Sequence, residues 1–397
     1  MFPLIRIPRS IRARLETLRS GFRHDHHLVF CWLLLIQMVY PGRNSLKELS
    51  RWIPVPYYQL TRLLSARYWN TAELWSWFVR RLLAIVPAPL NRVCFLSIDL
   101  VEIDKRSYLN PFAKRSKKQS NGPWVYGLHL LVFCLNWSVW RIPVAFRLVR
   151  AKSDPEYIKD NVLVRQILPE IPWPEWVQTK IVLADSAFAA IETFQLLKRL
   201  GWFYVFACAK TWNLSNGTHV KTHLGKLQKS QFKKTWIPRL TNPRKRRIFY
   251  VRKERHVLKH LGEVTLVFSK MRRNSGLKAT RILVTNLPEP LTARDILLIY
   301  QRRWMIEVLF KELKSGLGIG QHQVTKDSER VERSVGLCLM AYLFLMRWHL
   351  EVEGSNGKAW SLFASREQLL WTLIKDRLSH SDKPKPAKLD YEKRSAA

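Results

Sequence analysis

Cysteine is scarce in this chain and scattered along it. The five cysteines form no CxxC pair and are odd in number: Cys31, Cys94, Cys134, Cys208 and Cys338. This distribution argues against a disulfide framework and against a cysteine-based metal or redox motif. We therefore expect all five to be small buried hydrophobic side chains.

Long uninterrupted hydrophobic runs are also missing. The 22-residue apolar stretch 125–146 is broken by Asn136, Arg141 and Pro143, and the run at 28–40 is short. A membrane-spanning helix needs about 20 consecutive apolar residues. The N-terminus is basic and amphipathic and lacks the small-residue cleavage site of a signal peptide. We expect no membrane segment and a cytoplasmic location.

Acidic residues are few. The chain has 30 acids against 67 lysines and arginines, a net charge of +37 over 397 residues. Between residues 210 and 281 there are 20 lysines or arginines and only two acids, Glu254 and Glu263. Charge of this size attracts a polyanion and makes its binding depend steeply on salt. A solvated surface is the plainer explanation of a basic run, but the imbalance favours a nucleic-acid partner.

One stretch, 300–314, combines a polar stripe with an apolar face. Its sequence YQRRWMIEVLFKELK places Tyr300, Arg303, Glu307 and Lys314 at spacings of 3, 4 and 7. On a helix that turns about 100° per residue, these four fall within an arc of about 60°, beside an apolar arc. We predict one continuous helix here. A solvated face with an ordinary Arg–Glu pair at i,i+4 is the alternative interpretation.

This residue order resembles the Y-(2)-R-(3)-E-(6)-K signature of DDE transposases of the bacterial insertion sequence four family. All four positions match at the family spacing. The resemblance implies that Glu307 is the third catalytic metal ligand. It also implies that Tyr300, Arg303 and Lys314 handle DNA near the transposon end.

A first aspartate for such a site lies in the run VCFLSIDLV at 93–101. The run is typical of a buried strand, where an unpaired carboxylate is costly. Asp99 is the candidate ligand because it lies inside the run, and Glu102 and Asp104 are weaker candidates. Many relatives carry a further Asp and a Thr directly after this aspartate, and this chain does not. The alternative for Asp99 is a surface acid at a strand end.

The second aspartate ends another apolar run, IVLAD at 181–185, which precedes a helical stretch at 189–200. An acid between a buried strand and the following helix is a usual place for a site in an α/β sheet. Asp185 is therefore the second candidate ligand, in a segment close to the family's D-x-x-F form. The alternative is a helix N-cap.

The order of predicted strands resembles an RNase H-like fold. Two apolar runs in 124–147 flank a turn signal at 136–138, follow the 93–101 strand, and precede a helical stretch around 155–168. We expect an α/β protein with an RNase H-like catalytic core at 91–207 and 282–355. Residues 279–287 form a further predicted strand.

Three segments surround this expected core. Residues 1–90 read as a helical, DNA-binding domain, either with a helix-turn-helix or as a plain helical bundle packed on the core. Residues 208–281 form a basic insertion with predicted strands at 247–253 and 263–270; in relatives such an insertion contacts the transposon end. The 105–121 segment is predicted to be a basic loop near DNA. Residues 356–397 comprise a helix at 358–378 and a polar, disordered tail.

The resemblance implies a metal-dependent phosphoryl transfer. Asp99, Asp185 and Glu307 would hold two Mg²⁺ ions, with Mn²⁺ able to substitute. The partners would be double-stranded DNA, as transposon inverted-repeat ends and target DNA, and a second copy of the chain in a homodimer. A metal-independent tyrosine recombinase that uses Tyr300 and an inactive DNA-binding relic are the alternatives.

Overall fold

The computed structural model describes residues 4, 6–19, 22, 26–40, 42, 44–65, 69–105, 112–117, 124–240, 242–321, 327–353 and 360–379. Its helices are α1 (Arg9–Glu16), α2 (His26–Val39), α3 (Leu46–Leu49), α4 (Tyr57–Ser65), α5 (Thr71–Leu83), α6 (Asp160–Ile167), α7 (Ile191–Arg199), α8 (Val220–Lys226), α9 (Ala293–Gln301), α10 (Trp304–Ser315), α11 (Ser328–Glu353) and α12 (Leu362–Leu378). Its strands are β1 (Val93–Lys105), β2 (Ala113–Lys117), β3 (Trp124–Trp137), β4 (Trp140–Val149), β5 (Thr179–Ala184), β6 (Phe203–Ala207), β7 (Lys233–Arg239), β8 (Asn242–Leu258), β9 (Gly262–Lys270) and β10 (Arg281–Thr285). The predicted tail beyond residue 379 lies outside the described residues.

Strand β1 lies at the centre of the half of the sheet that carries the candidate acids. It pairs antiparallel with β3 on one side and parallel with β5 on the other. Strand β4 continues antiparallel from β3, and β6 continues parallel from β5. Three antiparallel strands are thus followed by two that run parallel to the first. The predicted hairpin and the predicted order of strands around Asp99 and Asp185 are confirmed.

The basic segment 208–281 extends the same sheet. Strand β10 pairs antiparallel with β6, and the path continues through β9 and β8 to β7. The strands predicted at 247–253 and 263–270 are present as parts of β8 and β9, and the one predicted at 279–287 as β10. Backbone hydrogen bonds therefore couple the basic strands directly to the strands that carry the acids.

The predicted loop at 105–121 is wrong for residues 113–117, which form β2. This strand pairs with β3 from Trp124 to Leu128, and β4 pairs with the same edge of β3 from His129 onward. The open backbone groups of β3 thus provide a partner that local composition does not reveal. Residues 106–111 and 118–121 of the predicted loop lie outside the described residues.

The continuous helix predicted at 300–314 is also wrong. Helix α9 ends at Gln301 and α10 begins at Trp304. At the junction, the backbone N–H groups of Arg302 and Arg303 donate to the carbonyls three residues earlier, at 3.0 Å each. The Arg302 guanidinium also donates to the Ser138 carbonyl at 3.0 Å. The junction is therefore a tight turn that contacts the β3–β4 connection, where periodicity alone predicts a straight helix.

Helix α11 forms the apolar centre of the helical layer. It packs against α2, α5 and α12. Its segment Ser328–Val352 is long and apolar enough to cross a membrane, but 78% of that apolar window is buried inside the folded chain. Such burial is what a core helix requires. All five cysteines are free and buried, which confirms their predicted role.

A buried ion pair joins the sheet to α10. Arg141 on β4 donates from Nε to Glu312 Oε2 at 2.8 Å and from Nη2 to Glu312 Oε1. The Tyr342 hydroxyl donates to Glu312 Oε2 at 3.1 Å and accepts from Trp360 Nε1 at 3.2 Å. Both side chains of the pair are only 8% exposed. The pair thus fixes the distance between β4 and α10.

Removing one charge of this pair should destabilise the fold. Glu312→Gln leaves the buried Arg141 guanidinium without a counter-charge, so we expect the free energy of unfolding to fall by about 3–5 kcal/mol. Denaturant unfolding measures the change. The control is the double variant Arg141→Met, Glu312→Met, which leaves no buried charge and should recover most of the loss. A loss below about 1 kcal/mol in Glu312→Gln would contradict the role given to the pair.

Candidate active site

The two aspartates lie next to each other where the pairing of two neighbouring parallel strands ends. Strands β1 and β5 run parallel, and their last paired residues are Ile98 and Ala184. Asp99 and Asp185 each follow directly after that pair. Neighbouring strands lie about 4.8 Å apart, so the two backbones are adjacent where these acids occur. The structure thus brings together two residues that are 86 positions apart in the sequence.

Asp99 is not the surface acid of the alternative interpretation, because its side chain is only 18% exposed. Its Oδ1 accepts from the Leu100 backbone N–H at 2.9 Å, and its Oδ2 accepts from Arg303 Nη1 at 2.5 Å. Glu102 is three residues further along β1, and alternation puts it on the opposite face. There it lies against Gly127, where a Cβ would come within 2.7 Å of Glu102 Cγ. The side chain of Asp104 lies outside the described part of the chain.

Asp185 does cap a helical turn, as its alternative interpretation proposed. Its Oδ1 accepts from the Ser186 backbone N–H at 2.7 Å, at the start of the short 3₁₀ turn Ser186–Phe188. The residue is exposed. It also lies within electrostatic range of Tyr300 and Arg303, since its charge contributes to the pKa of both. Capping fixes the start of the turn and keeps the carboxylate beside the site.

Arg303 joins the third acid to the first. It occupies the N-cap position of α10, and Glu307 lies in the first turn of that helix. Glu307 Oε1 is 3.5 Å from both Nη1 and Nη2 of the same guanidinium that contacts Asp99. The Glu307 side chain is 37% exposed, so it is accessible from solvent. One guanidinium therefore lies within reach of both Asp99 and Glu307.

The electrostatics of the site follow from burial and from this shared arginine. Burial raises the pKa of Asp99 to about 6, helped by the charge of Glu307 and opposed by Arg303. Burial alone would lower the pKa of Arg303, but Tyr300, Asp99, Glu307 and Asp185 together raise it. The guanidinium therefore stays charged. The negative charges of the carboxylates lie close together, which favours a positive partner among them.

Tyr300 and Lys314 lie at the two extremes of solvent exposure. Tyr300, near the end of α9, is 6% exposed and packs in a core cluster with Leu183 and Val205. Burial raises the pKa of its hydroxyl. A buried hydroxyl with a raised pKa is a poor nucleophile, which counts against a tyrosine recombinase. Lys314 is exposed in the last turn of α10. It lies about 10 Å along the helix axis from Glu307, on the same face.

The donor set suits a hard divalent cation. Three carboxylates offer only oxygen ligands, the type that Mg²⁺ prefers. The Arg303 guanidinium already places a positive group between Asp99 and Glu307. In the part of the chain that the structure describes, the ligand atoms of the three acids do not all lie within 4.8 Å of one another. Asp99 and Glu307 contact the arginine, and together with Asp185 they are the residues that would hold a metal ion.

Two features near the site had no clear signal in the sequence. The Arg303–Asp99 contact joins residues 204 positions apart, and the Arg141–Glu312 pair joins residues 171 positions apart. Spacing within α10 predicted that Arg303 and Glu307 are neighbours, but it assigned both to an uninterrupted stripe. Arg141, which lies in the largely apolar run WRIPVAFRLV, was the one available hint of a buried partner.

Comparison with known proteins agrees with this geometry. Residues 94–344 match the family described as "Transposase DDE domain". No curated protein matches the chain. Among solved structures, the chain is similar to the piggyBac transposase synaptic complex with hairpin DNA, determined by cryo-EM. The TM-score is 0.51 at 12% sequence identity, with 95% of this chain and 79% of that chain covered.

The structural likeness concerns the fold, and it confirms the predicted α/β, RNase H-like core preceded by a helical N-terminal region. The family match spans more than half of the chain and contains Asp99, Asp185 and Glu307. This protein therefore belongs to the transposase DDE domain family and is a DNA transposase.

Proposed function

We propose that this protein is the transposase of a bacterial insertion sequence, related to the insertion sequence four family. It would bind the inverted-repeat ends of its element, cleave there, and join the 3′-hydroxyl ends to target DNA. The observation that carries this proposal is that Asp99 and Glu307 both contact Arg303, with Asp185 next to Asp99 where the pairing of β1 with β5 ends. The spacing of Tyr300, Arg303, Glu307 and Lys314 supports the family assignment.

In the proposed reaction, Asp99, Asp185 and Glu307 hold two Mg²⁺ ions. Bound there, divalent ions supply Lewis-acid activation of the attacking hydroxyl and charge stabilisation at the leaving 3′ oxygen. The strand and the helix keep the three carboxylates in fixed places, because β1 is paired on both sides and α10 is tied to β4. Arg303 neutralises the charge of Asp99 in this structure. Its planar fork would also suit a DNA phosphate, which it could contact with two hydrogen bonds.

The rest of the DNA contact is proposed from charge and exposure. Lys314 neutralises a phosphate. The buried Tyr300 interacts with Arg303 and helps to position it. The basic strands β7 to β9 continue the catalytic sheet and supply a broad positive surface for the transposon end. The similar piggyBac structure is a synaptic complex with hairpin DNA, which supports DNA as the partner. We further propose a homodimer on paired ends, acting in the cytoplasm on nucleoid DNA.

Loss of the third carboxylate should abolish cleavage without abolishing DNA binding. Glu307→Gln keeps the size of the side chain, so we expect metal-dependent nicking of an element end to fall by more than about 100-fold, since even outer-shell metal partners cost 10–100-fold. End binding, measured by gel shift, should change little. The control is Glu175→Gln, an exposed glutamate before the opposite end of β5. If Glu307→Gln nicks DNA at the wild-type rate, Glu307 is not the third catalytic carboxylate. If the wild-type chain itself does not nick DNA, the protein is the inactive DNA-binding relic.

The raised pKa of Asp99 predicts that the free energy of unfolding depends on pH when a chelator removes metal ions. The folded chain holds this proton more tightly than the unfolded chain, so the Asp99 contribution to the free energy of unfolding falls as pH rises from about 4 to about 6. Relative to Asp99→Asn, wild type should lose on the order of 2 kcal/mol across that range. At pH 7, Mg²⁺ should raise the melting temperature of wild type and leave that of Asp99→Asn unchanged. Equal pH dependence of the two proteins would contradict the buried carboxylate.

The proposed phosphate contact of Lys314 predicts a change in salt dependence. Lys314→Gln should weaken end binding and lower the slope of log K against log salt by about 1, because one fewer counterion is released. Fluorescence anisotropy at several salt concentrations measures the slope. Lys375→Gln, which removes an exposed lysine from α12, serves as the matched control. Identical slopes for both variants would remove Lys314 from the interface.

A further inference from the structure

A second cluster of ligand-type side chains lies in the basic part of the sheet, away from the three acids. His223 on α8 and His256 on β8 both direct Nε2 at Oε2 of Glu254, at 2.6 and 2.8 Å. The ligand atoms of these three residues lie within 4.8 Å of one another. The two imidazole rings lie 4.6 Å apart, at 74° to each other. Among the described residues, no other three His, Cys, Asp or Glu side chains meet in this way.

The cluster is built from elements that converge on it. Glu254 and His256 are two residues apart on β8, so alternation puts both on the same face of the strand. Helix α8 brings His223 onto that face from 31 positions away. The side chains of His223, Glu254 and His256 are 24%, 13% and 18% exposed, so the cluster is largely enclosed but reachable by solvent.

The acid of this cluster is unusual for its surroundings. Glu254 is one of only two acids between residues 210 and 281, against 20 lysines and arginines. Arg252 Nε donates to its Oε1, which orients the carboxylate and leaves Oε2 to the two histidines. Burial alone would raise the pKa of Glu254, but hydrogen bonds from His223, His256 and Arg252 lower it to about 2.

We propose that His223, Glu254 and His256 form a binding site for a transition metal of the zinc class. The ligands are Nε2 of both histidines and Oε2 of Glu254, with water in the fourth position of a tetrahedron. Imidazole nitrogen favours zinc, whereas Mg²⁺ prefers oxygen ligands, so this site differs chemically from the three acids. Arg252 fills the role of the outer partner that orients a ligating carboxylate.

The geometry requires only small adjustments. A tetrahedral zinc with ligands at about 2.1 Å places the ligand atoms about 3.4 Å apart. The two N–O distances must therefore open by less than about 1 Å, which a small rotation of each partly exposed imidazole allows. On binding, each Nε2 gives any proton it carries to solvent and each ring keeps its proton on Nδ1. No bond other than metal–ligand bonds is formed.

The bound metal would fasten α8 to β8. Helix α8 has seven residues, and a helix of this length is marginal without tertiary contacts. A metal that joins His223 to the strand would hold the helix on the basic surface. This role is independent of the proposed transposition chemistry, because it concerns the shape of the segment 208–281.

Zinc binding by the full-length, tag-free chain tests the proposal. Competition between the protein and a chromophoric zinc chelator should show one tight equivalent of Zn²⁺, with millimolar Mg²⁺ unable to displace it. His223→Gln and His256→Gln should each weaken that equivalent by more than about 100-fold, since outer-shell partners alone contribute 10–100-fold. The control is His260→Asn, because His260 is an exposed histidine at the β8–β9 turn. Its φ of 67° is one that asparagine tolerates.

Two further measurements keep the result unambiguous. The Asp99→Asn, Glu307→Gln double variant should bind the zinc equivalent unchanged, which separates this site from the three acids. In wild type, Zn²⁺ should protect His223 and His256, but not His260, from carbethoxylation. This measurement uses only the wild-type protein, so it does not depend on whether a variant folds. Absence of a tight zinc equivalent in wild type would overturn the proposal. So would its loss in the Asp99→Asn, Glu307→Gln variant or in His260→Asn.

Discussion

The buried pair of Arg141 and Glu312 is the contact on which the active-site geometry depends. It ties the helix that carries Glu307 to the sheet that carries the aspartates, with two hydrogen bonds between them. Taking two charges out of water is expensive, and the pair is tolerable only because its remaining groups are satisfied. Tyr342 contacts Glu312, and the remaining guanidinium nitrogen, Nη1, donates to the Val139 carbonyl at 2.9 Å. The network therefore connects β4, α10 and α11 through one buried carboxylate.

Arg303 makes the local contacts of the site, at the start of the helix that the Arg141–Glu312 pair holds in place. It starts α10, contacts Asp99 on β1, and lies close to Glu307 one turn later. Three acids held close together repel one another and lose hydration, so the positive charge of Arg303 lowers the free-energy cost of placing them there. The same arrangement explains why the acids are not fully drawn together. A divalent cation has a higher charge and shorter bonds to oxygen, and can compete for the same carboxylates.

The extension of the sheet changes how the basic segment should be regarded. Strands β7 to β9 hydrogen-bond onto the core through β10, so the large positive surface and the acids share one rigid framework. Long-range attraction of DNA and its placement at the acids are then linked by the sheet itself. The two proposed metal sites lie along this sheet and differ in kind. One offers only oxygen, and the other, at Glu254, offers mostly nitrogen.

The amino-acid order alone was enough to predict the α/β class, most of the core strands, the two strand-borne aspartates, and the grouping of Arg303 with Glu307. These features depend on apolar periodicity and on neighbours a few residues apart, which a sequence displays directly. The break between α9 and α10, the strand β2, and the partners of Arg303, Arg141 and Glu254 arose only in the folded chain. The contacts of Arg303 with Asp99, of Arg141 with Glu312 and of Glu254 with His223 join segments distant in sequence, because burial selects partners from the whole molecule and overrides local preference. An unpaired strand edge does the same for β2.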